Sequence, residues 1–92
     1  MQYLKVEWKH QNDDYPILLY SEINDERMET RKVEVFRDGS VGFADSSTTK
    51  GKTQLGIVPL PSIDEIAVEA EFVPVEISKN EFEGIWGEHA AD

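Results

Sequence analysis

The sequence predicts an α+β domain: a mainly antiparallel sheet of four to five strands, with two short helices in its C-terminal half packed on one side. Three observations carry that expectation. Apolar and polar residues alternate with period two through much of the first half of the chain. An Asp38-Gly39 pair sits between two alternating stretches, the sequence form of a hairpin. Two serine-led capping signatures, Ser62-Ile63-Asp64-Glu65 and Ser78-Lys79-Asn80-Glu81, open helical segments after most of the strands. Strands followed by helices, rather than strict alternation, mark the α+β class.

In chain order, Leu4, Val6 and Trp8 alternate with Lys5, Glu7 and Lys9, a half-buried strand. His10 to Asp14 is a polar turn, and Pro16 opens a second strand over 17–22. Its apolar run at 17–20 implies cover on both faces. Asn24 to Arg27 connects to a third strand, about Glu29 to Arg37, in which Val33 and Val35 oppose Lys32, Glu34 and Phe36. At Asp38-Gly39 the glycine reaches positive φ without steric cost, and Val41-Gly42-Phe43 returns. Asp45 to Lys52 reads as loop and Leu55 to Val58 as a short strand stopped by Pro59 and Pro61. The first helix is expected to bury Ile63, Ile66 and Ala67. The second is expected to bury Phe82, Ile85 and Trp86, with Ile77 stapled to Phe82 and Gly87 as its end. Between the helices, Phe72 to Ile77 is a further strand. Among the tyrosines, Tyr15 and Tyr20 are expected as surface contacts.

The 92 residues allow one domain, 1–92. Their hydrophobic share of 39% is rich enough in Val, Ile and Leu for a small core. No apolar run approaches the ~18–20 residues of a membrane span, and the first residues lack a basic, greasy leader, so a cytoplasmic location is expected. The absence of cysteine excludes disulfides, thiolate catalysis and cysteine-based metal sites.

Charge is the unusual quantity. Nineteen acids against nine bases give −10. The imbalance is concentrated in residues 62–92, where Asp64, Glu65, Glu69, Glu71, Glu76, Glu81, Glu83, Glu88 and Asp92 face a single base, Lys79. Such a surface repels phosphate backbones and anionic membranes, and it attracts basic proteins. Acidity that only keeps a small protein soluble is the plainer reading.

Catalytic signatures are not found. Nineteen acids make accidental carboxylate pairs, such as Glu81 with Glu83, undiagnostic; a solvated helix face accounts for them. No Gly-x-Ser-x-Gly elbow accompanies His10 or His89. His10 beside Asp13 and Asp14 lacks a further fixed metal ligand and reads as a turn. Gly51-Lys52-Thr53 has the ending of a phosphate-binding loop, but the preceding glycine of that motif is replaced by Ser46. Arg27, Arg31, Lys32 and Arg37 interleave with Glu26, Glu29, Glu34 and Asp38, a pattern for cross-strand pairing. No catalytic, cofactor-binding or metal-ligating residue is therefore expected.

Several landmarks form a specific set. They are Tyr3 to Trp8, Leu19 to Ile23, Arg31 to Gly39, Gly42 to Ala44, Leu55 to Pro61, Phe72 to Ser78, and Glu81-Phe82. Together they resemble a family of small bacterial proteins described as a domain of unknown function. Met28 departs from that pattern, which carries a larger aromatic there. The resemblance implies cytoplasmic proteins, some encoded near toxins of interbacterial competition, and brings no activity or catalytic residues. The function expected is protein-binding inhibition, an immunity protein neutralising a basic nuclease toxin. Asp64, Glu65, Glu69, Glu71, Glu81, Glu83 and Glu88 would form one acidic face, extended by Asp13, Asp14 and Tyr15. The alternative is a housekeeping interaction module, self-associating through an exposed strand such as 17–22.

Overall fold

Alternation along the chain becomes six antiparallel strands in the computed structural model, which describes residues 1–90. The strands are β1 (Gln2–Trp8), β2 (Leu18–Ile23), β3 (Glu29–Val35), β4 (Val41–Ala44), β5 (Thr49–Lys50) and β6 (Phe72–Ile77). They form one sheet in the order β5-β4-β3-β2-β1-β6. The count exceeds the expected four to five because β5, a two-residue strand, lies inside the stretch read as loop. Two helices, α1 (Ile63–Ala67) and α2 (Lys79–Ala90), complete the α+β fold.

The hairpin turn forms where Asp38-Gly39 places it. Gly39 has φ 89°, and Asp38 Oδ1 accepts from the Ser40 amide and hydroxyl, which holds the Asp38 carboxyl below its ordinary pKa. Strand β2 pairs with β1 on one side and β3 on the other. Residues 17–22 are therefore central, not an exposed strand open to self-association. The true edges are blunt. β5 is too short to template a partner, and β6 carries Pro74 opposite Val6. The Trp8 amide bonds toward Ile17 while that of Lys9 bonds to Glu71, so odd residues of β1 make the hydrogen bonds to β6. Pro74 therefore stands where a donor would point outward, and its ring removes that donor.

Register assigns the two faces. Tyr3, Tyr20, Val33 and Phe43 share one, and α2 lies across it, with Phe82 fully buried among Tyr3, Tyr20 and Val33. Ile77, Ile85 and Trp86 pack around this cluster. Tyr20, expected at the surface, is only 6% exposed, because its place in a central strand puts the ring beneath α2. Ser78 caps α2 by accepting from the Glu81 amide. The helix continues through Gly84 and Gly87 to Ala90, so Gly87 does not end it.

Beneath α2 lies an ion cluster. Glu22 and Arg31 are cross-strand neighbours, and Arg31 donates to both Glu22 oxygens at 2.9 and 2.6 Å and to Glu83 on α2 at 2.7 Å. Its guanidinium lies 5.0 Å from the Phe82 ring centre and 5.1 Å from that of Trp86. The Thr30 hydroxyl also donates to Glu22. The Arg31 hydrogen bonds, followed by that of Thr30, outweigh burial and lower the Glu22 pKa from 4.5 to about 2.

The opposite face carries Leu4, Val6, Leu19, Ser21, Lys32 and Glu34. It is covered by α1 and by an irregular strap over 51–62. The helices therefore lie on opposite faces of the sheet, not on one side. The serine-led capping box of α1 is complete, but one short turn leaves Ile63 and Ile66 half-buried and Ala67 exposed. The strap has no strand at 55–58, and it is fastened chiefly by side chains of the sheet and of the β2–β3 turn. Thr53 sits over Gly42, where a β-carbon would meet its hydroxyl at 2.2 Å, and donates to Glu34 at 2.6 Å. Buried Glu29 accepts from the Gly56 amide at 2.7 Å and from the Ser21 hydroxyl at 2.8 Å. Arg27, with φ 64°, donates to the carbonyls of Leu60 and Pro61 at 2.9 and 2.6 Å.

Arg31→Met should destabilise by about 3 kcal/mol in urea unfolding, since it strands a buried carboxylate, whereas Glu83→Gln, half in water, should cost less than ~1 kcal/mol. Because the folded pKa of Glu22 is depressed, its contribution is complete above pH 4.5 and disappears as pH falls toward about 2. Glu22→Gln should flatten the stability profile across that acid window. Arg27→Ala frees the far end of the strap and should raise amide exchange at Gly56 and Leu60, with a global loss of about 1 kcal/mol.

Candidate functional site

Strap and α1 do not close over the sheet completely. Between them remains a cleft of about 350 Å³. Val6 and Leu19 form its floor, Ile66 and Phe72 one wall, and Leu60 and Pro61 the other. Its polar groups are few. Ser21 and Glu29 satisfy each other at the inner end, and Lys32 Nζ lies 3.5 Å from Glu29 and 3.9 Å from Glu34. Glu65 and Glu69 complete the lining from the α1 side. Thus Lys32 is already balanced by carboxylates, and the remaining polar character of the cleft is anionic.

The cleft adjoins an aromatic cluster at the end of β1. Phe72 stacks on Trp8 at 5.4 Å, and Trp8 also meets Tyr15 at 5.4 Å and His10 at 4.6 Å. The Trp8 indole N–H donates to Glu71 at 3.4 Å. His10 is engaged at both nitrogens: Nε2 bonds the Pro16 carbonyl and Nδ1 accepts from the Asn12 amide. That pairing assigns the proton to Nε2 and makes the ring a brace of the turn. Tyr15 remains 51% exposed. Asp13 is ion-paired to Arg37 at 2.7 Å, and Asp14 is exposed beside it.

The acids read from the sequence do not form one face. Glu65 and Glu69 line the cleft on the α1 side, Glu71 joins them through Trp8, and Asp64 lies on the same short helix. Through Trp8, the 13–15 turn adjoins this group. Glu81, Glu83 and Glu88 lie on α2, across the sheet. Glu81 borders a different hollow with Lys5, Val73 and Val75. Opposite-face placement of the helices is the physical reason for the split. Asp92 lies outside the described residues.

The acids of 62–90 are all exposed, and among the described residues only Glu83 of these acids makes an ion pair. Arg31, Lys32 and Arg37 instead face carboxylates of the first half of the chain, Glu83 excepted. Glu65 is partly committed, since its carboxylate accepts from the Ser62 amide and hydroxyl.

The cleft itself was missed by sequence reasoning. Val6 and Trp8 fall on the apolar side of a half-buried strand, and alternation shows which side that is, not how well it is covered. The one available signal was the apolar run at 17–20, which puts Leu19 on the face opposite Tyr20. Among the described residues, no helix is long and apolar enough to cross a membrane, and no group of three or more His, Asp or Glu side chains is arranged to hold a metal ion.

No match to the chain was found among curated proteins or among solved structures. A family model, Domain of unknown function (DUF6881), matches residues 2–91, nearly the whole sequence, and the chain therefore belongs to that family.

Proposed function

We propose that this protein is an inhibitory binding protein, of the kind that gives immunity by neutralising a basic nuclease toxin. The observation that carries the reading is the set of exposed, unpaired carboxylates in the C-terminal third. Of the eight acids there within the described residues, one is ion-paired. The part of this set on the α1 side, with Asp64, Glu69 and Glu71, presents to a nuclease what its substrate presents, anionic oxygens. It can therefore lie over a nucleic-acid site and exclude the substrate. Electrostatic steering raises the encounter rate, which matters when a toxin must be caught before it cuts. Such an inhibitor acts in the cytoplasm of a bacterial cell, where the toxin would meet its substrate.

Geometry favours the α1 side as the docking surface. There Glu69 and Glu71 stand beside half-buried apolar and aromatic groups, a carboxylate rim around a hydrophobic centre. On α2, by contrast, Glu83 is held by Arg31 and is no longer available in full.

The reading requires a basic protein encoded beside this one, and the test assays such a protein for nuclease activity with and without it. Stoichiometric inhibition is expected, with association slowing by about tenfold or more as salt is raised. Glu69→Lys combined with Glu71→Lys should weaken binding by at least about tenfold, and Glu81→Lys with Glu88→Lys only a few-fold, since long-range steering alone is lost. Should both double variants bind and inhibit like the parent, the acidic surface is not the inhibitory element.

A further inference from the structure

We propose that the cleft between α1 and the strap receives one large apolar side chain, preferably aromatic, from a basic segment of the partner. This rests on the protein-binding reading above and names the chemistry of its anchor.

Three independent features meet at the cleft. Its volume, about 350 Å³, is that of a site for a single bulky group, and its lining is mostly aliphatic and aromatic. It is also held open. Hydrogen bonds to Glu29 and Glu34 and from Arg27 fix the strap at Gly56, Thr53 and Leu60-Pro61, so the wall cannot settle onto Val6 and Leu19 without breaking them. A preformed cleft avoids the ordering cost that a collapsing one would impose on its guest. Finally, the elements that bound it expose large apolar side chains: Ile57 is 90% and Val58 66% exposed on the strap, and Val68 79% at the end of α1.

Charge selects the occupant. Glu65 and Glu69 line the cleft, and Glu71 follows two residues on. Lys32, the cation within reach, is already faced by Glu29 and Glu34. An anchor flanked by lysines or arginines gains from those carboxylates, and one flanked by acids is repelled. Interfaces concentrate their energy in such buried aromatic or arginine anchors ringed by polar groups.

The experiment compares three short capped peptides against the isotope-labelled full-length chain by NMR titration. One has tryptophan centred among lysines and arginines, one has serine in its place, and one has tryptophan among glutamates. The basic tryptophan peptide should shift the signals of Val6, Leu19 and Ile66 and bind about tenfold tighter than the serine peptide, with the acidic peptide weakest. Ile66→Ala should reduce the preference for tryptophan by a few-fold while leaving the serine peptide unaffected. Equal affinity for the two basic peptides, or shifts that avoid the cleft, overturns the anchor site while the acidic surface stands. Absence of salt-sensitive binding by either basic peptide overturns both. Sedimentation of the chain alone should give a monomer; a dimer that Ile66→Glu disrupts would make a second copy the occupant and overturn the proposal.

Discussion

The strap over residues 51–62 forms no strand of its own, and the character of the α1 face follows from how it is held. A segment without backbone pairing must satisfy its amides and carbonyls elsewhere. Here the sheet and the β2–β3 turn supply the partners, chiefly through side chains, with the Leu60 amide bonded to the Arg27 carbonyl. Glu29 takes the Gly56 amide, Glu34 the Thr53 hydroxyl, and Arg27 the carbonyls of Leu60 and Pro61. Buried carboxylates are costly when unpaired, and these are not: Ser21 and Lys32 complete the set around Glu29. Polar fastening fixes the height of the strap above the sheet. Apolar packing alone would pull it down until the gap closed, so the cleft persists because the contacts that hold its wall are directional.

The same arrangement governs the charge. Arg27, Arg31, Lys32 and Arg37 are turned toward carbonyls and carboxylates, mostly of the N-terminal strands and turns. Arg31 is drawn beneath α2 by Glu22 and by the faces of Phe82 and Trp86. Four of the nine cations are engaged in this way, so they offset the carboxylates of the C-terminal third less than their number implies. The negative potential of the surface thus arises partly from the acids and partly from where the bases have gone.

Much of this fold was legible in the sequence. Alternation at Tyr3 to Lys9, the Asp38-Gly39 turn and the Ser62 capping box are local signals, and each element formed where its own residues specified. The relative placement of the helices was not legible. A pattern such as Phe82, Ile85, Trp86 shows which side of a helix is apolar, but not which face of a sheet that side will meet. Tyr20 was misread for a related reason, since its burial depends on being in the third-from-last strand of the sheet order, between β3 and β1. The strap carries no period at all. Thr53 looked like the end of a phosphate loop, yet its hydroxyl is committed to Glu34 and its closeness to the sheet depends on Gly42.

Splitting the acids between two faces sharpens what a docking surface must supply here. Carboxylates alone bring a cation-rich partner close without fixing its orientation, because exposed charge pairs are weak and screened by salt. Orientation needs a contact that excludes water. On the α2 face, Phe82 is spent on packing against Tyr3, Tyr20 and Val33, and the apolar side chains left exposed, Val73 and Val75, border a hollow that also holds Lys5. On the α1 face, Val6, Leu19, Ile66 and Phe72 remain partly open, and Phe72 connects them through Trp8 to the exposed ring of Tyr15. Attraction and orientation can therefore act together on that side, whereas the hollow beside α2 sets Lys5 among its carboxylates, a charge that opposes a cationic partner.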